Sequence, residues 1–174
     1  MKLVVLKSNL NQKKQTGFSL IEVIVAIYIL LIGIVGVMAL TINTTKAGAV
    51  SSSKLIAANL AQEGIEVVKN IRDLNYGENG WADWHAAIAS GDYLVQYNST
   101  ALISPYVDNA YFLYDTGLYN YDTGSTNKYK FKRKITIENT DPSYRYLKVI
   151  STVGWIENSR DHSLVVEEEL WNWR

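Results

Sequence analysis

An uninterrupted apolar run near the N-terminus constrains this chain more than any other feature. Between Val23 and Leu40 no residue is charged, and almost every side chain is Val, Ile, Leu, Ala or Met. At ~1.5 Å per residue, residues 18–40 would extend ~34 Å as a helix, enough to cross a bilayer core of ~30 Å. Glu22 stands at the edge of this run, and a carboxylate at the centre of a membrane helix costs on the order of 2.5–3.5 kcal/mol. The sequence therefore predicts a membrane-spanning helix whose first turn carries an acid in need of a partner.

A basic leader, a Gly-Phe pair and a single acid precede the run in a fixed order. Lys13 and Lys14 are followed by Gly17-Phe18-Ser19-Leu20-Ile21-Glu22. This pattern resembles the processing site of type IV prepilins and of the related pseudopilins of type II secretion. The resemblance implies that a membrane-embedded prepilin peptidase cuts between Gly17 and Phe18 and N-methylates the new N-terminal Phe18. It also implies that Glu22 serves subunit assembly.

Charge and composition limit the classes of partner and chemistry. The 174 residues carry 17 basic and 17 acidic groups; residues 1–17 contain four lysines and no acid, so their removal leaves 13 basic groups against 17 acidic ones, or −4. A mildly acidic mature chain gives no electrostatic reason to expect a nucleic-acid partner. The chain has no cysteine, which excludes disulfides, thiolate metal sites and a cysteine nucleophile.

The position of the lysines predicts the orientation in the membrane. An ordinary secretory signal loses its apolar region on cleavage, whereas here the apolar run follows the expected cut and stays with the mature chain. The leader lysines precede the run, and only Lys46 and Lys54 follow closely. The positive-inside rule then keeps the leader cytoplasmic and places the C-terminal region outside the cytoplasmic (inner) membrane. An uncleaved single-span anchor is the alternative.

The helix is predicted to continue past the membrane. No proline occurs before Pro105, so nothing forces the helix to stop at the lipid surface. Apolar residues return at helical spacing after a polar stretch at 41–53, and Asn75-Tyr76-Gly77 offers a stop. These patterns predict one helix of roughly 55 residues, from Phe18 to about Leu74. Gly64 lies on its apolar stripe and predicts close approach of a strand or an aromatic ring.

The region after Leu74 changes from helical to alternating periodicity and predicts an α+β fold, in which the long N-terminal helix packs on a small antiparallel β-sheet in a pilin-like arrangement. The segment 81–88 reads as a short helix or turn. The predicted strands are 92–97, 110–115, 118–121, 129–139, 146–156 and 163–173. The last three, joined by short loops, predict an antiparallel meander with one face on the helix.

The resulting organisation has four parts: a prepilin leader at 1–17, a transmembrane and filament-core helix at 18–40, its amphipathic continuation at 41–74 and a globular β-rich head at 75–174. Residues 57–73 are similar to the helix of minor pilins and minor pseudopilins, and 149–170 to their closing hairpin. Major pilins often carry a helix-breaking proline where this chain has Met38-Ala39-Leu40. Its absence favours a minor subunit. Gly33 and Gly36 fit either close helix packing in a filament core or ordinary membrane-helix glycines.

Residues that could carry chemistry fit structural roles better. His85 and His162 lack metal-ligand spacing, so no metal site is expected. Glu167 and Glu169 are read as one solvated strand face opposite Lys130, Lys132 or Lys134, in preference to an acid/base pair. Asp115 and Asp122 favour turns over a calcium site. The sequence predicts no catalytic site, no cofactor and no enzyme activity.

The sequence therefore predicts a structural subunit of a type IV pilus or type II secretion filament. The resemblance implies four partners: the prepilin peptidase, other pilin or pseudopilin subunits, membrane lipid before assembly, and an assembly platform protein. Assembly would place the subunit in a pilus or pseudopilus at the cell surface or in the periplasm. The alternative is an adhesin or DNA-uptake tip pilin that binds a ligand through aromatic residues of the head: Trp81, Trp84, Tyr119 and Tyr121.

Overall fold

A computed structural model describes residues 17–79, 84–126, 131–157 and 159–172. One helix is followed by seven strands: α1 (Leu20–Asn79), β1 (Gly91–Tyr93), β2 (Leu113–Asp115), β3 (Leu118–Asn120), β4 (Ser125–Thr126), β5 (Lys132–Glu138), β6 (Tyr146–Glu157) and β7 (Arg160–Trp171). Contacts divide the chain into two compact units, Met1–Lys46 and Ala47–Arg174. The fold is α+β, with one long N-terminal helix and an antiparallel sheet, as predicted from the sequence.

Helix α1 extends further than its sequence indicated. The stop expected at Asn75-Tyr76-Gly77 is wrong, since the helix continues to Asn79. Asn75 is buried, and its Nδ2 donates to the carbonyl of Trp84 at 3.3 Å. Tyr76 packs against the core of the head. Tertiary contacts thus keep these residues helical in spite of their turn-forming tendency.

The main sheet has four strands in the order β1-β5-β6-β7, all antiparallel. The predicted meander of three long strands is confirmed. The candidate strand at 92–97 shortens to three residues, because after Tyr93 the chain leaves the sheet with a single bridge from Leu94 to Ile103. The first part of the candidate strand at 129–139 lies outside the described residues.

The two faces of this sheet alternate as the sequence predicts. Side chains of β5 and β6 that face α1 are buried, and those on the opposite face are partly exposed. The partners predicted for the β7 acids are wrong: β6 lies between β7 and β5, so Glu167 pairs with Lys148 at 2.9 Å. Glu168, on the other face, pairs with Lys69 of α1 at 2.6 Å.

A second, smaller sheet has the order β3-β2-β4. Strand β4 lies in a stretch whose composition suggested only a turn. Gln96 joins this sheet to the rest of the head: its Nε2 donates to Asp122 at 2.7 Å, and its Oε1 accepts from the backbone N–H of Tyr121 at 2.9 Å.

Two clusters of buried side chains form the core of the unit 47–174. One joins the later turns of α1 to β5, β6 and the turn at 84–88, and includes Ile71, Ile88, Ile137 and Leu147. The other joins Ala57, Leu60 and Ala61 of α1 to four further apolar side chains: Phe112, Phe131, Val153 and Trp155. Hence the amphipathic stripe read from the sequence is the face of α1 that packs against the head.

The sheet approaches α1 most closely at Gly64. A Cβ atom there would lie 2.9 Å from Arg133 Cδ, 2.9 Å from Ile135 Cδ1 and 3.0 Å from Ser151 Oγ. The prediction of a close approach at Gly64 is confirmed.

Arg133 fills the space beside this glycine and is fully buried. Its Nη1 donates to the Leu60 carbonyl at 2.5 Å and to Glu63 Oε1 at 3.0 Å, and its Nη2 donates to the Val95 carbonyl at 2.7 Å. Burial lowers the pKa of Arg133, and the Glu63 carboxylate opposes that shift. One guanidinium therefore connects α1, β5 and the chain after β1.

Candidate processing and assembly site

The expected cleavage site lies immediately before the helix. Gly17, Phe18 and Ser19 are not helical, and α1 begins at Leu20. The Ser19 carbonyl accepts from the backbone N–H groups of Glu22 at 3.0 Å and Val23 at 3.3 Å, as the residue that precedes a helix does. Gly17 and Phe18 are therefore exposed and lie just outside the helix.

Glu22 lies in the first turn of α1 and is exposed. The helix dipole stabilises a carboxylate in the first turn, typically by ~0.3–1 kcal/mol. This is about half the net free energy of a typical hydrogen bond. Cleavage after Gly17 would create an amine at Phe18, whose side chain is 81% exposed. Phe18 and Glu22 therefore both lie on open surface at the start of the helix.

Helix α1 carries no charged side chain from Val23 to Leu40 and is apolar on every side there. Among the described residues, α1 is the one helix long and apolar enough to span a membrane; its most apolar window has a mean hydropathy of 3.0, and none of that window is buried. Large side chains from Leu20 to Ile42 are 46–78% exposed. Such a continuous apolar surface requires lipid or other protein to cover it.

Hydroxyl groups follow this surface where the sequence turns polar. Thr41 donates to the carbonyl of Val37, and Thr44 and Thr45 both donate to the carbonyl of Thr41, each at 2.9 Å. These bonds satisfy the hydroxyls within the helix itself, so this stretch tolerates both lipid and water.

The glycines of the first unit lie in open surroundings. A Cβ atom at Gly33 or Gly36 would meet nothing within 4 Å. A shallow apolar groove lies along Gly33 between Ile29 and Met38. The absence of a side chain there would let a second helix approach closely.

Three of the four aromatic residues named in the alternative, a ligand-binding head, pack against neighbouring side chains. Trp84 is 3% exposed, and its Nε1 donates to the Tyr144 carbonyl at 3.2 Å. Tyr121 stacks on Phe112 at 4.6 Å, and Tyr119 contacts the edge of the same ring at 6.0 Å. Burial raises the pKa of Tyr121. These rings support the core, and Trp81 lies outside the described residues.

The polar candidates of the head also have structural partners. His85 stacks on Tyr144 at 3.8 Å and His162 on Trp155 at 5.3 Å. Within the described ranges, no group of three or more His, Asp or Glu is arranged to hold a metal ion. Asp122 accepts from Gln96, and Thr123 Oγ1 reaches Asp115 at 3.5 Å; both contacts join separate segments of the head and are not hydrogen bonds within a turn.

Asp141 organises the loop between β5 and β6, a role that was not predicted from the sequence. Its carboxylate accepts from the backbone N–H of Ser143 at 3.0 Å and from Arg145 Nε at 2.6 Å. The hydrogen bond from the Arg145 side chain and the bond from Ser143 lower the pKa of Asp141. The Asp-Pro-Ser turn sequence could have suggested this role.

Comparison with known proteins identifies the N-terminal segment. A family model described as the prokaryotic N-terminal methylation motif matches residues 12–38. No curated protein and no solved structure gave a match. The chain therefore carries the N-terminal signature of type IV pilins on a long apolar helix, and the recognition made from the sequence is confirmed.

The motif supports a type IV pilin-like or pseudopilin precursor, and it implies processing by prepilin peptidase and assembly with other pilin subunits. The matched stretch is a small part of the 174 residues.

Proposed function

We propose that this protein is a structural subunit, a minor pilin or a pseudopilin, of a type IV pilus or a type II secretion filament. The observation that carries the proposal is the methylation motif at the start of a helix whose large apolar side chains are exposed from Leu20 to Ile42. A minor subunit is favoured because α1 runs from Leu20 to Asn79 without a proline.

The processing step would remove residues 1–17 and methylate Phe18. The other three parts proposed from the sequence would then make up the mature chain, with the amphipathic segment extended from Leu74 to Asn79. Membrane lipid would cover residues 18–40 first. An assembly platform protein and neighbouring subunits would replace that lipid later.

Glu22 would determine the axial position of each subunit. In an environment with little water, a lone carboxylate is costly, and the amine at Phe18 of a neighbouring subunit would neutralise it. N-methylation leaves a secondary amine that keeps its charge. Pairing of this amine with Glu22 would fix how far one helix slides along the next.

Two substitutions separate processing from assembly. In cells that supply prepilin peptidase and a complete filament system, we expect Gly17→Val to block cleavage, and intact mass would then show the leader retained. We expect Glu22→Gln to be cleaved, methylated and inserted in the membrane normally, but to be lost from sheared filaments. Removal of one partner of a buried ion pair costs ~3–5 kcal/mol, enough to abolish incorporation.

Glu66→Gln is the matched control, because Glu66 is an exposed acid on the same helix within the head unit. It should be incorporated like the unchanged protein. Normal incorporation of Glu22→Gln would refute the pairing, and a mature chain that begins at Met1 would refute the processing.

A further inference from the structure

A cleft of about 330 Å³ opens on the face of the main sheet that points away from α1, near the hairpin between β6 and β7. Its floor is formed by β5, β6 and β7, and one wall by the segment 106–111. The lining residues that matter are Tyr106, Asp108, Tyr111, Lys132, Gly154 and Asp161.

Gly154 leaves the floor of this cleft open. It lies in the middle of a row across three strands, between Lys132 and Ser163. A Cβ atom at Gly154 would make only ordinary contacts, 3.5 Å from Lys132 Cγ and Cε and 3.7 Å from the His162 carbonyl oxygen. Neither packing nor backbone conformation requires glycine here, and glycine within a strand costs roughly 0.5–1 kcal/mol. A glycine of this kind is typical of a place where a ligand approaches the backbone.

The wall is held in place by the residues that line it. Lys132 Nζ lies 3.1 Å from Asp108 Oδ1, and the Tyr106 hydroxyl donates to the same oxygen at 3.0 Å. Lys134 Nζ lies 5.8 Å from the centroid of the Tyr106 ring. Burial and the bond to Asp108 raise the pKa of Tyr106 to about 12, so its hydroxyl stays a donor. The cleft is therefore formed before any ligand arrives.

The charges of the lining are balanced. Two ammonium groups of the lining, Lys132 and Lys134, are matched by two carboxylates of the lining, Asp108 and Asp161. Lys134 Nζ also lies 3.4 Å from Asp92 Oδ2, outside the lining. The carboxylates would repel an anion, and the ammonium groups would repel a cation. A neutral ligand with many hydroxyls can donate to the first and accept from the second, through charge-assisted hydrogen bonds.

The remaining lining suits the same kind of ligand. Thr152 and Ser163 add hydroxyls to the floor, and Tyr106 and Tyr111 add aromatic rings. A sugar ring carries C–H groups that pack on such rings and hydroxyls that bond to the polar groups. The volume is at the small end of the range for ligand sites. We propose that this cleft binds a neutral saccharide of one or two sugar units.

This binding activity goes beyond a structural role in a filament and does not depend on it. It uses different residues from the aromatic surface expected from the sequence, since Trp84, Tyr119 and Tyr121 pack in the core. It would give a filament that carries this subunit a contact with cell-surface or matrix carbohydrate.

Saturation-transfer NMR on the full chain in lipid nanodiscs, free of sugar-headed detergent, tests the proposal. The probes are glucose, galactose, mannose, N-acetylglucosamine, N-acetylgalactosamine and lactose, with inorganic phosphate and N-acetylneuraminic acid as charged comparators. We expect saturation transfer from the protein to at least one of the neutral sugars. Gly154→Val should abolish it by filling the floor, while the thermal midpoint stays the same or rises, because valine suits a partly exposed strand position.

Lys132→Gln should weaken the same binding about tenfold by removing a charged donor. Lys148→Gln is its matched control, because Lys148 is also an outward-facing lysine in an ion pair and lies outside the cleft. Its affinity should not change. Absence of transfer to every neutral sugar, transfer that survives Gly154→Val in folded protein, or binding of the charged probes alone would each overturn the proposal.

Discussion

The close approach at Gly64 provides the sharpest test of how the head is fixed to α1. A Cβ atom at this position would lie within 3.0 Å of side-chain atoms of Arg133, Ile135 and Ser151. Gly64→Ala therefore has two opposing effects on the free energy of unfolding. Alanine in a helix interior is favoured over glycine by ~1 kcal/mol. Insertion of a methyl group into a well-packed core costs typically 1–3 kcal/mol, about the same or more.

The net expectation for Gly64→Ala is a loss of ~0–2 kcal/mol in the free energy of unfolding, and its size depends on how far the three side chains that crowd the site can move. Gly77→Ala isolates the helix effect, since a Cβ at Gly77 would meet nothing within 4 Å. That variant should gain up to ~1 kcal/mol, less if the last helical turn frays. The two variants should thus differ by up to ~3 kcal/mol, with Gly64→Val still less stable than either.

The assay is chemical unfolding of the full chain in nanodiscs, followed by tryptophan fluorescence and near-ultraviolet circular dichroism. Trp84 and Trp155 are buried on the side of the sheet that α1 covers, so both probes report on this packing. If Gly64→Ala stabilised the protein as much as Gly77→Ala, the sheet would not press against α1 at this point, and the account of the core would be wrong.

Two further predictions concern the head. Arg133→Ala should lower the free energy of unfolding by ~3–5 kcal/mol, because it leaves a cavity and removes the donor to the Val95 carbonyl. Arg133→Met should lower it less, because methionine keeps most of the volume. Equal losses of stability in urea unfolding would contradict this ranking. Asp141 has a lowered pKa in the folded protein, so its stabilising contribution is complete above the usual carboxyl pKa and is lost as pH falls through the lowered value. In thermal unfolding, the midpoint of Asp141→Asn should therefore depend less on pH over that acidic range than the midpoint of the unchanged protein. The same pH dependence in both proteins would argue against the Asp141–Arg145 interaction.

The parts of the fold that follow local periodicity could be predicted from the sequence. The apolar run and the stripe around Gly64 indicate α1, and strict alternation along β5 and β6 indicates which side chains face it. Arg133 broke that alternation in the sequence. The structure explains the exception, since helix and loop carbonyls surround the guanidinium.

Features that depend on long-range contacts could not be read in the same way. Strand β1 pairs with β5 across a connection of nearly forty residues, and its alternating composition does not name that partner. The end of α1 depends on Asn75 and its bond to Trp84, which outweighs the turn tendency of Asn-Tyr-Gly. The partner of Glu167 depended on strand order, which composition does not determine.

The two proposed sites differ in the same way in how far the sequence could predict them. Gly17, Phe18 and Glu22 form a contiguous motif, so local sequence was enough to locate them. The cleft gathers residues from the segment 106–111 and from three strands. Its one local sign is Gly154, a glycine in an otherwise regular alternating strand.

The contrast between the two parts of α1 restricts the order of events in the life of the protein. Val23–Leu40 exposes nearly every large apolar side chain, whereas Ala57, Leu60, Val68 and Ile71 are at most 3% exposed within the head unit. Exposed apolar surface costs ~25 cal/mol per Å² in water, so the first unit cannot remain uncovered at any stage. Lipid is available as soon as the chain is made, and subunit contacts are available only in a filament. If residues 18–40 lie in the membrane as proposed, the head can reach its packed state there, and assembly would exchange one apolar environment for another. Glu22 is the one charged residue between Phe18 and Leu40, so incorporation should depend on it most steeply.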